Sequence, residues 1–525
     1  MKRRRLSTRE RGFVLLAGSL MLMFAVPMVG LTIDAGFMYV IKSRLASASD
    51  AAALAAARQL ALGLTVPEQE QSAVNRATAF FNANYPASMF NTANRSFVAQ
   101  VAETGFRTRT VTITASVDAP LFFTRMLTSA PTAVVGTVGK ASRRDVNVIL
   151  VLDRSGSMNT NGGCAAMRTA ANAFIDLFAN QRDTLGMITY GISYSLQFAP
   201  SMNFKTGSSP TLPQRINSIS CAGGTGTAQA LFQGYQQIVN INQPGVLNVI
   251  LLFTDGIPNT ISANFKVNTL DGTRSADGTT LSSSNKRSRC YDYQHGKRYY
   301  QTDSYSWTQD WNPNNQVYRG AVYAQEGLGS GDGLSGILGT TTSSNSDAGK
   351  VSRPYSSETA ASMYSSSGYE NDCWFRGGNG SGTSDSALQY DIAYYPDTDL
   401  YGTPLESAND MRTLNHFSFS HPYANRISVT DKTNMMYAAI NAVDNAAKRI
   451  RANEFNPGIN TVVYTIGLGE VGEDQTTLLR RVANDPLSPI FDENKLPGMY
   501  VFAPVAADLN AAFVKIASEI LRYAQ

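Results

Sequence analysis

Residues 13–33 run for 21 positions, Phe13 to Ile33, without a charged side chain, and Asp34 closes the run. In a lipid interior such a segment must satisfy its own backbone hydrogen bonds, which leaves a helix as its conformation. At about 1.5 Å per residue it matches the roughly 30 Å hydrocarbon core of a bilayer. Lys2, Arg3, Arg4, Arg5, Arg9 and Arg11 stand ahead of it. Basic residues are retained on the cytoplasmic side. The sequence therefore predicts residues 1–12 as a cytoplasmic basic tail, residues 13–33 as a single transmembrane helix, and the bulk of the chain outside. A cleaved signal peptide is the competing reading. Against it, the run is longer than a signal's apolar core, and no clean small-x-small cleavage site follows it.

The helix is expected to continue over residues 34–64. Residues 39–62 lack Pro and Gly and include Ala51-Ala52-Ala53-Leu54-Ala55-Ala56-Ala57, a composition of high helix propensity. Its small-residue face could pack closely on a neighbour, or the segment could be a solvated stalk. Arg11-Gly12-Phe13, the apolar run, Thr32-Ile33-Asp34-Ala35-Gly36 and Arg44-Leu45 through Asp50-Ala51-Ala52-Ala53-Leu54 together resemble the amino-terminal region of the TadE/TadG-like family of tight-adherence (Flp) pilus-assembly proteins. The resemblance implies a bacterial inner-membrane protein with a periplasmic or extracellular bulk and pilus-assembly components as partners. Prepilin-type processing after Gly12 would call for a Glu where Ala17 stands, so a retained anchor is expected.

Residues 65–140 read as a small α+β spacer. Residues 71–84 are helix-like, and residues 96–101, 107–117 and 134–138 carry strand alternation. Residues 140–144 read as a linker.

From residue 145 the pattern changes. Val146-Asn147-Val148-Ile149-Leu150-Val151-Leu152 is an almost wholly apolar run, as are residues 247–254 and 461–466. Between and after them lie one-faced helical stretches at residues 165–178, 227–239, 433–451, 476–483 and 509–520. Apolar strands alternating with amphipathic helices imply an α/β fold, a doubly wound and mostly parallel sheet covered on both faces. Ligands of such sheets sit at the carboxyl ends of the strands. Three polar stretches fall at such ends or in adjoining loops: Asp153-Arg154-Ser155-Gly156-Ser157, Gly223-Gly224-Thr225-Gly226-Thr227 and Thr254-Asp255-Gly256. They offer two carboxylates and three hydroxyls, the hard oxygen donors that Mg²⁺ takes in small number with water completing the shell.

The three stretches in this order resemble the von Willebrand factor type A domain and its metal-ion-dependent adhesion site, over residues 145–259 and 430–525. The resemblance implies that Asp153, Ser155, Ser157, Thr225 and Asp255 hold Mg²⁺, with Mn²⁺ or Ca²⁺ as alternatives. One coordination position would remain for a carboxylate offered by a protein partner. Arg154 and Thr227 read as bystanders. Cys164 and Cys221 lie in loops flanking the first two ligand segments, so a disulfide there is plausible; free buried thiols are the other reading.

Residues 260–429 lose this periodicity and read as a long irregular insertion rich in Ser, Gly and Tyr. It holds Trp307, Trp311, Trp374, all three histidines, and Cys290 and Cys373, which could form a second disulfide. Such aromatic content suits an adaptable recognition surface; a weakly ordered loop is the plainer alternative. The segment Asp397-Thr398-Asp399 faintly suggests a calcium loop but has Ala408 where the closing Glu belongs.

Composition excludes several classes. The net charge of +4, much of it in the first eleven residues, does not suit nucleic acid. Four cysteines without a CxxC or HxxxH pair argue for disulfides in an oxidising compartment rather than a zinc cluster. His295, His416 and His421 all lie in the insertion, so neither Ser155 nor Ser157 has an evident general base, and no GxSxG, HExxH or P-loop occurs. The expectation is a non-enzymatic, membrane-anchored adhesion or pilus-assembly protein, with a scaffold whose metal site only stabilises the fold as the second reading.

Overall fold

The computed structural model describes residues 8–191, 194–269, 289–292, 297–300, 317–325, 333–340, 373–376, 390–394, 398–406, 432–469 and 473–524. The chain divides into two compact units between Asp145 and Val146.

The first unit begins with α1 (Thr8–Gln59), 52 residues long with Pro27 inside it. Its apolar first half is long enough to cross a membrane and is almost entirely exposed. Its second half is amphipathic in an unusual way: the buried face is Ile41, Leu45, Ala48, Ala52, Ala53, Ala56 and Ala57. These small side chains bring the helix close to a three-stranded antiparallel sheet, β1 (Ala93–Gly105), β2 (Thr108–Pro120) and β3 (Thr132–Arg144), in that order. Val111, Ile113, Ala115 and Val117 of β2 complete the core. α2 (Val66–Asn84) adds Ala73, Ala77 and Phe81 and opens on a capping box, Thr65 with Glu68, a device that satisfies two otherwise orphaned backbone donors. The segments 34–64 and 65–140, read from sequence as lying in series, thus share one core. Residues 140–144, read as a linker, are the end of β3, paired in register from Lys140 with Thr112 to Arg144 with Thr108. The basic residues Lys140, Arg143 and Arg144 hid that strand, yet Arg143 is buried and ion-paired with Asp145. Between β2 and β3 lies the single-turn α3 (Arg125–Thr128).

The second unit is built on a six-stranded sheet. Its members are β4 (Val146–Asp153), β5 (Thr184–Tyr190), β6 (Tyr194–Ser201), β7 (Leu247–Thr254), β15 (Thr461–Leu468) and β16 (Tyr500–Ala503), in the order β16-β15-β7-β4-β5-β6. All pairings are parallel except that of the edge strand β6 with β5. Successive side chains of a strand face opposite ways, and every residue of β4 is buried. Ile149 and Val151 face α6 (Thr227–Ile241) and the helices Lys432–Arg451 and Glu473–Ala483. Val148, Leu150 and Leu152 face α4 (Gly163–Asp176), the short α5 (Leu212–Asn217) and the helix Leu509–Tyr523, with Phe174 and Phe513 in edge contact. Two-sided burial is why these strands appear as unbroken apolar runs.

Within the segment read as irregular, backbone strands occur. β8 (Thr260–Thr269), β11 (Val317–Gln325), β12 (Gly333–Thr340), β13 (Cys373–Arg376) and β14 (Tyr390–Tyr394) form a five-stranded antiparallel sheet, and β9 (Arg289–Asp292) pairs with β10 (Lys297–Tyr300). Ile261, Ala263 and Leu405 are buried in the unit's main core, so residues from both ends of this segment contribute to it. Trp307, Trp311, His295, His416 and His421 lie outside the described residues, as do the side chains of Trp374, Cys290 and Cys373 and hence the second disulfide.

Residues 398–406 return to this core. Thr398 bridges Pro404, and Asp399 Oδ1 accepts hydrogen bonds from the backbone N–H groups of Tyr401 and Thr403, both at 2.8 Å. The faint calcium motif is thus occupied in a turn at Asp399; Asp397 and Ala408 are outside the described residues. Burial pushes the Asp399 carboxyl up to about 6. A carboxylic acid raised in the folded state holds a proton that the unfolded chain has lost, so its contribution to stability falls as pH rises from about 4 through 6. The loss amounts to about 3 kcal/mol at most. Both hydrogen bonds end on Oδ1, so an amide preserves them. Asp399→Asn is therefore expected to flatten the decline of unfolding midpoint between pH 4 and 7; an unchanged slope would place its origin elsewhere.

Candidate metal centre

Three loops meet at the carboxyl ends of β4 and β7. Asp153 is the last residue of β4, and Thr254 the last of β7. Because β4 pairs in parallel with both β5 and β7, their following loops emerge on one edge. The glycine-rich segment ahead of α6 joins them through backbone hydrogen bonds. Gly156 N donates to Gly223 O (2.8 Å), Ala222 N to Arg154 O (2.7 Å), Arg154 N to Tyr190 O (2.8 Å) and Gly226 N to Gly191 O (2.7 Å). Arg154, read as a bystander, ties two loops together through its main chain. Gly191 has no side chain for a steric reason, since a Cβ there would lie 2.8 Å from Ala222 O.

Ser155 Oγ and Ser157 Oγ are 2.9 Å apart, Ser157 Oγ donates to Asp255 Oδ1 at 2.7 Å, and Ser155 Oγ lies 3.4 Å from the same oxygen. Thr225 borders this triangle: a Cβ on Gly256 would be 3.7 Å from both Thr225 Oγ1 and Ser157 Oγ. Asp153 stands behind it, fully buried. Its Oδ1 accepts from Ser155 N (2.7 Å) and its Oδ2 from Thr254 Oγ1 (2.7 Å). Asp153, Ser155 and Thr225 are buried, Asp255 is half-buried, and Ser157 and Gly156 are exposed and form the mouth.

Burial, and then the charge of Asp255, push the Asp153 carboxyl up to about 7; burial likewise raises Asp255. Asp255, Thr254 and Ser155 are the groups that set the proton affinity of Asp153, and no cationic side chain is among them. Among the described residues no cluster of three His, Cys, Asp or Glu side chains occurs, so this centre is one of hydroxyls with two carboxylates. The donor set fits a hard divalent cation. Oxygens on adjacent corners of a Mg²⁺ octahedron, at about 2.0–2.1 Å from the ion, are about 2.9 Å apart, close to the Ser155–Ser157 and Ser157–Asp255 separations.

Two residues that sequence reading did not single out position the centre. Thr254 orients Asp153. Asn259 Oδ1 accepts from Thr225 N at 2.7 Å while Asn259 N donates to Thr225 O at 3.2 Å, which fixes the threonine loop against the β7 loop. Thr254 lies in the third polar stretch but has no role there in the sequence reading, and Asn259 lies in none; the fold supplies the contacts of both. Cys164 and Cys221 form a disulfide.

Two family models match the chain. The von Willebrand factor type A domain matches residues 148–257, and the TadE/G-like family of Flp pilus-assembly proteins matches residues 12–59. Calcium-activated chloride channel regulator 1 of Bos taurus is 32% identical over 118 residues, covering 22% of this chain and 12% of that protein. Calcium-activated chloride channel regulator 3A-1 of Mus musculus is 28% identical over 144 residues, covering 26% of this chain and 15% of that protein. The chain thus spans only a small part of the length of these relatives. Among solved structures, the PilB minor pilin of Streptococcus sanguinis aligns over 83% of this chain and 80% of its own, with TM-score 0.32 and 12% identity. The von Willebrand factor domain of a type V pili tip protein from Porphyromonas gingivalis aligns over 73% of this chain and 98% of its own, with TM-score 0.33 and 14% identity.

Proposed function

We propose that this chain, which joins a TadE/G-like region to a von Willebrand factor type A domain, is a membrane-anchored pilus-assembly or adhesion protein that binds a protein partner through a divalent cation. The observation that carries the reading is the oxygen triangle of Ser155, Ser157 and Asp255, open to solvent at Ser157. Ser155, Ser157, Thr225, Asp153 and Asp255 would hold the cation, Mg²⁺ in first place and Mn²⁺ or Ca²⁺ otherwise. When bound, the cation supplies an open coordination position that a partner's carboxylate can take. The chain's own residues do the rest. Thr254 and Ser155 N–H hold Asp153 in place, Asn259 holds the Thr225 loop, and the Ser155 and Ser157 hydroxyls, gathered with Asp255 Oδ1, are the oxygens that would face the cation.

α1 supports single-pass anchoring, with residues 1–12 in the cytoplasm of a bacterium and the bulk in the periplasm or outside. The reading is of a non-enzymatic protein, in keeping with a centre whose side chains are hydroxyls and carboxylates, the oxygen donors of a cation site. The scaffold reading, in which the cation only stabilises the fold, is separated by experiment. Purified full-length protein should bind Mg²⁺ or Mn²⁺ in a calorimetric titration and should capture a protein from detergent-solubilised membranes in Mg²⁺ but not in chelator. Cation binding with metal-independent capture favours the scaffold, and no cation binding defeats both.

A further inference from the structure

The loop between β2 and β3 carries a surface that the adhesion reading leaves unused. It leaves the sheet as Leu121-Phe122-Phe123-Thr124-Arg125-Met126 and is closed by Leu121 N donating to Pro131 O at 3.1 Å. Phe122, Phe123 and Met126 are 46%, 39% and 77% exposed. Such a concentration of large apolar side chains on a short loop marks an interaction surface.

α1 fixes the height of this loop. The Asp34 carboxylate accepts hydrogen bonds from the backbone N–H groups of Phe122 (3.0 Å), Phe123 (2.9 Å) and Thr124 (2.6 Å). The Phe122 ring meets Phe37 edge-on at 5.4 Å. One turn earlier Gly30 is buried under Phe123, so closely that a Cβ on Gly30 would fall 2.6 Å from Phe123 Cβ. The loop thus lies beside the last turn of the charge-free run. Elsewhere on that turn Val29, Leu31 and Ile33 are exposed. Lipid that covers those three side chains reaches the loop next to them.

Gly30 precedes Ile33, the last residue of the run, by about 5 Å along the helix axis. That is the depth at which interfacial segments bury their apolar face. Backbone groups stranded there would each cost several kcal/mol if unpaired, and three of the loop's N–H groups are taken up by Asp34. Arg125 is exposed and long enough to carry its charge out to the headgroups.

We propose that residues 121–126 are a second membrane contact, with Phe122, Phe123 and Met126 inserted into the interface of the bilayer that α1 spans, on the side that follows Asp34. Asp34 is then a positioning residue: it joins the anchor helix to the inserted loop and sets the first unit's tilt against the membrane. The proposal rests on the anchor reading, and the test separates the two.

Full-length protein with Cys290→Ser and Cys373→Ser receives one new cysteine at a time, Leu22→Cys, Met126→Cys or Phe106→Cys. Each is labelled with an environment-sensitive fluorophore and reconstituted into phosphatidylcholine–phosphatidylglycerol vesicles with or without nitroxide lipids. Leu22 lies in the apolar run, and Phe106 is exposed at the far hairpin between β1 and β2. Nitroxide lipid is expected to quench the labels at positions 22 and 126 several-fold and to leave position 106 unchanged, and Asp34→Ala should weaken the quenching at 126 alone. Quenching at 22 with a water-exposed label at 126 overturns the loop proposal and leaves the anchor standing. A label at 126 shielded from both lipid and aqueous quenchers means a protein partner covers the loop, which also overturns it. Absence of quenching at 22 removes the anchor reading and the proposal with it.

Discussion

Asp153→Ala is expected to weaken divalent-cation binding by ~100-fold or more, equivalent to about 3 kcal/mol, and to abolish metal-dependent capture of a partner. The centre has only two carboxylates, and Asp153 is the buried one. In the absence of a cation the same removal relieves a repulsion, because burial and Asp255 hold the Asp153 carboxyl up at about 7. Against that relief, Ala leaves Ser155 N–H without its acceptor and Thr254 Oγ1 with only Gly256 O at 3.1 Å, at roughly 1–3 kcal/mol for a buried group stranded. Asp153→Asn separates the two effects. Its amide oxygen keeps one of those contacts while the charge is gone, so it should lose the cation as Ala does yet unfold nearer to wild type. Wild type should gain thermal stability on adding Mg²⁺, as any ligand selective for the native state provides, and neither variant should. If Asp153→Asn binds cation within a few-fold of wild type, Asp153 is no ligand and the proposed set is wrong. If either variant still captures the partner, the scaffold reading is favoured.

The parts of this molecule legible in its sequence are those whose environment is uniform. β4, β7 and β15 are buried on both faces, so their apolar runs mark them to within two residues of their ends. The edge strand β6 escaped notice because it is only partly buried and contains Pro200, tolerable at a sheet edge. α5 has six residues, too few to show a helical period. The strands within the 260–429 segment mix Tyr, Gly and Ser without apolar alternation, as in Val317-Tyr318-Arg319-Gly320-Ala321, so periodicity could not reveal them. At the centre, the ligand candidates sit in short local patterns and were readable. Thr254 stands in one of those patterns, but its bond to Asp153 comes from the register of β7 against β4, and Asn259 reaches the centre through the folding-back of the threonine loop; no local pattern encodes either contact. The small-residue face of α1 was visible as a stripe, but that its neighbour is the chain's own sheet was not.

Loss of the Cys164–Cys221 disulfide is expected to cost the second unit about 4 kcal/mol by the loop-closure relation, since the bond closes a separation of 57 residues. Part of the native geometry survives without it. Asn159 Nδ2 donates to Cys221 O and Arg168 to Ile219 O, both at 2.7 Å, and Gly156 and Ala222 keep their backbone bonds across the same seam. These contacts hold the loop in the folded state but do not restrain the unfolded chain, which is where the disulfide acts. Cys164→Ser with Cys221→Ser should therefore lower the denaturant midpoint of the second unit strongly, while Mg²⁺ affinity in the still-folded protein falls only a few-fold. Amide exchange should show the protection of residues 212–226 reduced well beyond that of β4. The opposite result, a small midpoint shift with a hundredfold loss of affinity, would mean that the bond's role is to place Thr225 rather than to limit the unfolded ensemble. The Asn159 and Arg168 contacts would then be too weak to hold the threonine loop alone.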